Sequence, residues 1–260
     1  MDLGITGERA LVLGGSQGLG FAAAKVLVQE GVKVAINSRN PDNLQAAKDE
    51  LGGQVITLAG DVSVPADRNR VFEEAKAQLG GPISILITNA GGPPPGPVDT
   101  HSRETWLQAL ETNMLSAIDC AVLAAQDMKE AGFGRIVNIT SFTVRSPYAN
   151  MGLATSVRAG LTGAMMSLAQ ELAPHGVTVN NVLPGLMDTG ALRRVFKAEA
   201  EMKDISIEQA REEMAESIPM KRLGTADDFG AVCAFLCSRH AAYITGENVT
   251  VAGGLVRSLL

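Results

Sequence analysis

The sequence predicts an α/β domain built on a doubly wound, parallel, seven-stranded sheet. Three observations lead there. Short, nearly continuous apolar runs alternate with longer amphipathic stretches along the whole chain. A glycine-rich turn joins the first apolar run to the first helical pattern. The 260 residues hold neither a tandem repeat nor a low-complexity linker, so one domain over residues 1–260 is expected. Continuous apolar runs fit strands covered by helices on both faces, and the β-α-β-α rhythm fits parallel pairing.

The first strand is expected over Ala10 to Leu13 and a helix from Phe21 to Glu30. Between them lies Gly14-Gly15-Ser16-Gln17-Gly18-Leu19-Gly20. Glycines turn the backbone tightly and let it approach a pyrophosphate, while the helix N-terminus offers unpaired N–H groups and a positive dipole end. Strand, glycine turn and helix in that order make an anion cradle, with Gly14, Ser16, Gln17, Gly18, Leu19 and Gly20 as its candidate residues. The second strand, Val32 to Ile36, runs into Asn37-Ser38-Arg39-Asn40. A carboxylate here would pair with the ribose hydroxyls of NAD. This chain has none, and Ser38 with Arg39 suits a 2′-phosphate, which points to NADP(H).

A helix follows over Asp42 to Leu51, then a strand over Val55 to Leu58 that leads to Asp61-Val62. Asp61 can meet an adenine amino group; it equally fits a cap for the helix over Pro65 to Leu79, and the two roles are compatible. The strand Ile83 to Thr88 opens onto Asn89-Ala90-Gly91, small residues against which a cofactor can lie. Gly91 to Pro97 is stiff, unable to form a helix or a central strand, and sits at a strand end, where ligands gather in open α/β sheets.

Next come a helical stretch over Arg103 to Ala131, a strand over Arg135 to Thr140, a helix over Leu153 to Leu172 and a strand over Val177 to Val182. Pro184-Gly185-Leu186-Met187-Asp188-Thr189 closes the sixth strand. The run from Met187 to Ile218 is unusually long and carries Phe196, Met202, Ile205, Ile207 and Met214 among many charges. It reads either as a helical lid or as an amphipathic surface excursion. A helix over Asp227 to Ser238 and a strand over Asn248 to Val251 complete the sheet.

Composition excludes several classes. The net charge of −6 argues against a nucleic-acid partner, which would need a basic patch. Cys120, Cys233 and Cys237 make no disulfide framework; Cys233 and Cys237 share a helix face, but no nearby histidine completes a metal site, so small core residues are expected. The N-terminal stretch with Asp2 and Glu8 does not read as a signal peptide, and no apolar run is long enough to span a bilayer. A cytoplasmic protein with no membrane or nucleic-acid partner is the expectation.

Together these pieces resemble the short-chain dehydrogenase/reductase family across essentially the whole chain, most of all its 3-oxoacyl-[acyl-carrier-protein] reductase-like members. The family's Thr-Gly-x-x-x-Gly-x-Gly turn is matched by Gly14, Gly18 and Gly20, with Leu13 in place of threonine. Its Asn-Asn-Ala-Gly is matched by Asn89, Ala90 and Gly91, with Thr88 in place of the first asparagine. Asn113 matches its helical asparagine, and Pro184, Gly185 and Thr189 match the segment that binds the nicotinamide carboxamide, with Leu186 between them. Gly246 and Gly253-Gly254 match its C-terminal pattern, with Ala252 for the usual aspartate, and Pro219 to Gly224 looks like the segment before its last helix. The resemblance implies a Rossmann fold, NADP(H), a small carbonyl or hydroxyl substrate and a homotetramer. Two long helices, near Arg103 to Ala131 and Leu153 to Leu172, would pair between subunits, with Gly160, Gly163 and Ala164 permitting close approach there or inside one chain.

The active site departs from the family pattern. A serine that holds the substrate oxygen is matched by Ser141. The tyrosine that gives the proton lies thirteen residues further on, where this chain has Ala154, and the lysine four residues beyond it is Arg158. Alanine has no proton to give, and arginine supplies charge and hydrogen bonds but stays protonated. Three outcomes compete. A substitute donor serves, either Tyr148 or a water held by Ser141, Arg145 or Arg158. Or the reaction needs no tyrosine acid, as with an anionic substrate or an enolate in an electropositive site. Or catalysis is lost and the protein is a redox-silent NADP-binding sensor or subunit. Tyr148 also reads as an ordinary loop-packing aromatic and Arg145 as a solvated loop charge. Ser141, Arg158, Asn113 and Tyr148 are thus the candidate catalytic residues, with Asn113 placed at a helix kink and in a water relay.

Overall fold

A computed structural model describes residues 1–258. Seven parallel strands form one sheet in the order β3-β2-β1-β4-β5-β6-β7. They are β1 Arg9–Leu13, β2 Lys33–Ser38, β3 Ile56–Ala59, β4 Ile85–Thr88, β5 Gly134–Ile139, β6 Val177–Pro184 and β7 Asn248–Val251. The chain winds outward from β1 to β3, returns to β4 on the other side of β1, and winds outward again. That reversal leaves a crevice above the C-terminal ends of β1 and β4.

The sheet is covered on both faces because successive strand residues alternate sides. Ala10 and Val12 of β1 belong to one core, with Ile36, Ile87, Val137 and Val182. That core is covered by α1 (Gly18–Gln29), α2 (Pro41–Leu51) and α9 (Ala226–Cys237). Leu11 and Leu13 belong to the other, with Leu86, Ile136 and Val179, under α3 (Pro65–Leu79), α5 (Ser116–Ala131) and α6 (Gly152–Leu172). Cys120, Cys233 and Cys237 are fully buried in these cores, which is where small apolar residues belong.

Several expected boundaries shift. The first helix starts at Gly18, inside the glycine turn, not at Phe21. The helix expected from Arg103 to Ala131 divides into α4 (Arg103–Leu110), a π turn over Glu111–Leu115, and α5. Asp61 does not cap α3. The residue before that helix is Val64, with no side-chain cap, and the Asp61 carboxylate instead folds the preceding turn by accepting from the Ser63 N–H at 3.0 Å and the Ser63 hydroxyl at 2.7 Å. The long excursion holds α7 (Gly190–Lys203) and α8 (Ile207–Glu216), which pack Phe196 and Met214 with Ile218, Leu223 and Leu186. Gly160 is used within the chain: a Cβ there would lie 2.9 Å from Met114 Sδ, whereas nothing lies within 4 Å of one at Gly163.

Candidate active site

The glycine turn is held by close backbone approach. Gly14 and Gly18 have φ of +59° and +61°. A Cβ at Gly14 would stand 2.7 Å from Asn89 Nδ2, and one at Gly20 would collide with the Gly14 carbonyl oxygen. Asn89 Nδ2 donates to that same carbonyl at 3.2 Å, so the β1 and β4 ends are tied together across the crevice. Gln17 provides no side-chain cap for α1, and no acidic residue occupies its first turn. Nothing lies within 4 Å of a Cβ at Gly18, so the helix N-terminus opens on free space flanked by Ser16, Gln17 and Leu19. A cradle that side chains would fill, at an uncapped helix start, fits a pyrophosphate.

Ser38 and Arg39 stand at the end of β2. Arg39 is exposed and its guanidinium lies 3.7 Å from Asp61 Oδ2. Ser38 Oγ accepts from the Asn40 N–H at 3.4 Å, while Asn40 caps α2 through Asp42 and Asn43. Asn37, which sequence reasoning passed over, is buried and donates to the Leu58 and Gly60 carbonyls at 2.9 and 3.1 Å, fixing the loop that carries Asp61 and Val62. The signal was there: an asparagine closing an otherwise apolar strand.

At the other end of the crevice, Asn113 sits in the π turn and donates from Nδ2 to the Gly91 carbonyl at 2.7 Å. A cleft here is lined by Thr88, Asn89, Ala90, Thr112, Asn113 and Arg158, among others. The Arg158 guanidinium reaches from α6 to within 3.5 Å of where a Gly92 Cβ would stand. Among the described residues it finds neither a hydrogen bond nor a carboxylate, and burial lowers its pKa from the ordinary arginine value. Ala154, one turn earlier on α6, is 2% exposed. Ser141 lies two residues beyond β5; its Oγ accepts from the Thr143 N–H at 3.2 Å and from the Thr143 hydroxyl at 3.0 Å.

Ser141, Arg145 and Tyr148 do not line the cleft that contains Arg158. Arg145 leans away to donate to Thr250 Oγ1 of β7 at 3.4 Å. Tyr148 is 60% exposed, with its ring edge-on to Phe142 at a centroid distance of 6.2 Å.

The Pro184–Thr189 segment closes the crevice from the far side. Gly185 passes so near β7 that a Cβ would lie 2.6 Å from the Ala252 Cβ. Thr189 precedes α7 without spending its side chain on a cap, and Leu186 packs into the α7–α8 cluster. Asp188 pairs with Arg193 of α7 at 3.4 Å and Arg211 of α8 at 3.1 Å, fastening both helices to this loop. Behind the site, a polar ladder crosses four strands: Thr88 donates to Asn138 at 2.7 Å, Asn138 to Asn181 at 3.2 Å, and Asn181 to Asn248 at 3.0 Å. Each member is satisfied by the next, which fixes strand register directly below the loops that carry Asn89, Ser141 and Gly185.

The profile described as Enoyl-(Acyl carrier protein) reductase matches residues 14–256 of the chain. The chain is 35% identical over 255 residues to NADPH-dependent reductase BacG of Bacillus subtilis, covering 96% of this chain and 98% of that one. It is 33% identical over 249 residues to the 3-oxoacyl-[acyl-carrier-protein] reductase FabG of Escherichia coli, covering 96% and 97%. Its structure is similar to that of L-sorbose reductase from Gluconobacter frateurii, solved with NADPH and L-sorbose, with a TM-score of 0.94, 26% identity and full coverage of both chains.

Proposed function

The chain belongs to the short-chain dehydrogenase/reductase family, and on that premise we propose that it moves a hydride between NADP(H) and a carbonyl or hydroxyl compound at a site offering a serine and a positive charge but no tyrosine acid. The observation that carries this reading is the Arg158 guanidinium, unpartnered among the described residues, in the cleft with Asn113 and the Asn89–Ala90 turn. A charged group left without a partner in a half-buried cleft is costly unless a ligand completes it.

When bound, the reduced dinucleotide would supply the hydride, which carries both electrons. Around it, Gly14, Ser16, Gln17, Gly18, Leu19 and Gly20 hold the pyrophosphate. Ser38 and Arg39 meet the 2′-phosphate, Asp61 and Val62 the adenine. Asn89, Ala90 and Gly91 back the nicotinamide ribose, to which Arg158 donates, and Pro184, Gly185, Leu186 and Thr189 hold the carboxamide. Ser141 receives the substrate oxygen, with its hydroxyl aimed by Thr143. The α7–α8 pair over residues 187–218 acts as the lid.

Hydride arrival leaves negative charge on that oxygen. Arg158, in a neighbouring cleft that Ser141 does not line, would act on that charge through its field without giving up its own proton. The proton comes from water, since Ala154 has none and Tyr148 faces outward. Such a site favours substrates that are anionic or that pass through an enolate. Homotetramer formation through α4, α5 and α6 fits the outward Gly163 and the exposed Leu107, Leu115, Val122 and Met166.

A second reading, a redox-silent NADP-binding protein, is favoured by Ala154 itself. Fluorescence titration with NADPH and NADH, followed by assay of 3-oxoacyl thioesters, diketones and quinones, separates the two. Turnover of any of these supports the enzyme; tight NADPH binding without turnover supports the silent protein; binding of neither cofactor defeats both.

A further inference from the structure

The start of α3 faces the adenine end of the crevice, and no role assigned above uses it. Three of its side chains hold the Ala59–Val62 backbone. Asp67 Oδ2 accepts from the Asp61 N–H at 2.9 Å. Arg68 Nη1 donates to the Val62 carbonyl at 2.8 Å. Arg70 Nη2 donates to the Ala59 carbonyl at 2.9 Å and to Asp67 Oδ1 at 3.0 Å. Asn37 grips the same loop from β2 through the Leu58 and Gly60 carbonyls.

Arg68 anchors the set. It is 7% exposed, and its second terminal nitrogen pairs at 2.6 Å with Asp119 of α5. The loop is therefore tied through one buried guanidinium to a helix of the opposite half of the domain. The bond from Asp61 is also the largest of the influences that hold the Asp67 carboxyl below its ordinary pKa.

What these bonds leave unspent is informative. The Asp61 N–H goes to Asp67, the Asp61 carbonyl to the Val64 N–H, and the Val62 carbonyl to Arg68. The Val62 N–H finds no partner among the described residues, and Asp61 Oδ2 faces only Arg39. An acceptor beside a donor is the complement of the adenine edge, whose amino group donates and whose adjacent ring nitrogen accepts.

We propose that Asp67, Arg68 and Arg70 form a positioning clamp that fixes Ala59–Val62 so that the Asp61 carboxylate and the Val62 N–H meet the adenine together, with Arg68 as its anchor. The clamp rests on the cofactor reading above and extends it: these residues touch no cofactor atom and set base selectivity through the loop. Hypoxanthine presents a carbonyl and an N–H where adenine presents an amino group and a bare nitrogen, so a rigid loop should reject it.

The test compares dissociation constants for NADPH and its hypoxanthine analogue, by fluorescence, in the wild type and Arg68→Met. Amide exchange of residues 59–64 is followed in the ligand-free proteins. The wild type should prefer NADPH by roughly tenfold or more, the scale of one charge-assisted hydrogen bond. Arg68→Met should lose about tenfold in NADPH affinity, change little toward the analogue, and exchange faster over 59–64. Asp119→Asn, which loosens the anchor at its half-exposed end, should fall between. Equal weakening toward both nucleotides, or unchanged affinity for both, overturns the clamp. A wild type that binds neither nucleotide overturns the cofactor reading instead. Should Arg68→Met fail to fold, Arg70→Gln and Asp67→Ala decide the matter by the same ratio and the same exchange.

Discussion

Replacing Arg158 by methionine should make the ligand-free protein more stable while disabling it. Among the described residues the guanidinium has no carboxylate or hydrogen-bond partner in its cleft, and burial lowers its pKa. A lowered pKa on a base means that folding disfavours the charged form. The penalty therefore stands throughout the neutral range and would be relieved only by deprotonation at alkaline pH. An unsatisfied buried polar group costs about 1–3 kcal/mol, and a charge in a dry core costs more. Because this cleft is open to water, about 1–2 kcal/mol is the appropriate share. Methionine keeps much of the stem's packing volume and discards the charge. For a domain of this size each kcal/mol moves Tm by about 2–4 °C, so a rise of roughly 2–8 °C is expected. Thermal unfolding of the two ligand-free proteins measures it. Repeating the melts with NADPH gives the other half: a ligand at a hundredfold excess over its Kd adds about 2.7 kcal/mol, and the variant should gain clearly less. A variant that melts at or below the wild type and binds NADPH equally well would sink the idea that Arg158 is held unpaired for a ligand.

Three further outcomes are expected. Arg39→Ala should weaken NADPH by roughly tenfold or more, the loss of a charge-assisted contact, and leave NADH within about twofold; parallel weakening of both would remove Arg39 from the 2′-phosphate. If turnover is found, Tyr148→Phe should leave kcat unchanged within about twofold on the ordinary scale of an exposed surface change, because the phenol is outward and its ring rests on Phe142; a large drop would identify it as the proton donor. Asp228 closes a capping box with Thr225 and pairs with Arg222, and these contacts, the Arg222 bond foremost, hold its carboxyl well below the usual carboxylate range. A depressed carboxylate stabilises the fold above its unfolded pKa and ceases to do so as pH falls through its folded pKa. Asp228→Ala should therefore cost about 1 kcal/mol at neutral pH and progressively less in strong acid, as pH-dependent melts would show.

Much of the sheet was legible in the sequence because strands buried on both faces must be apolar at nearly every position. β7 matches its expected limits, and most other strands shift by one or two residues. The π turn at Glu111–Leu115 falls where the family resemblance places a helix kink, at Asn113, although the sequence pattern reads as one continuous helix from Arg103 to Ala131. The cradle was legible because glycine is demanded by contacts as close as those at Gly14 and Gly20. The Asp188 latch and the α3 clamp were not. Their partners lie on separate elements, and periodicity cannot say that Arg211 reaches Asp188 or that Arg68 reaches Asp119. The polar ladder was half legible: asparagines stood out in apolar strands, but their pairing needed the register that aligns Asn138 with Asn181 and Asn181 with Asn248.

The burial of Ala154 bears on how the missing tyrosine is to be understood. Were the site a standard one with a single group removed, the alanine methyl would look onto the space a phenol had left. Instead it is 2% exposed. A tyrosine introduced there would have to displace its neighbours, and overpacking of that kind costs about 1–3 kcal/mol. Arg158, meanwhile, carries its charge as far as Gly92, in a cleft that Tyr148 does not line. Position 154 is thus buried as an alanine, and Arg158 places a cation in the cleft beside it. In the proposed binding mode the cofactor would be held by the backbone at Gly14–Gly20 and by the Asp61–Val62 loop, both distant in sequence from position 154. On the reading proposed above, binding and turnover would be separable, and the chemistry would be one that a fixed positive charge assists and that draws its proton from water.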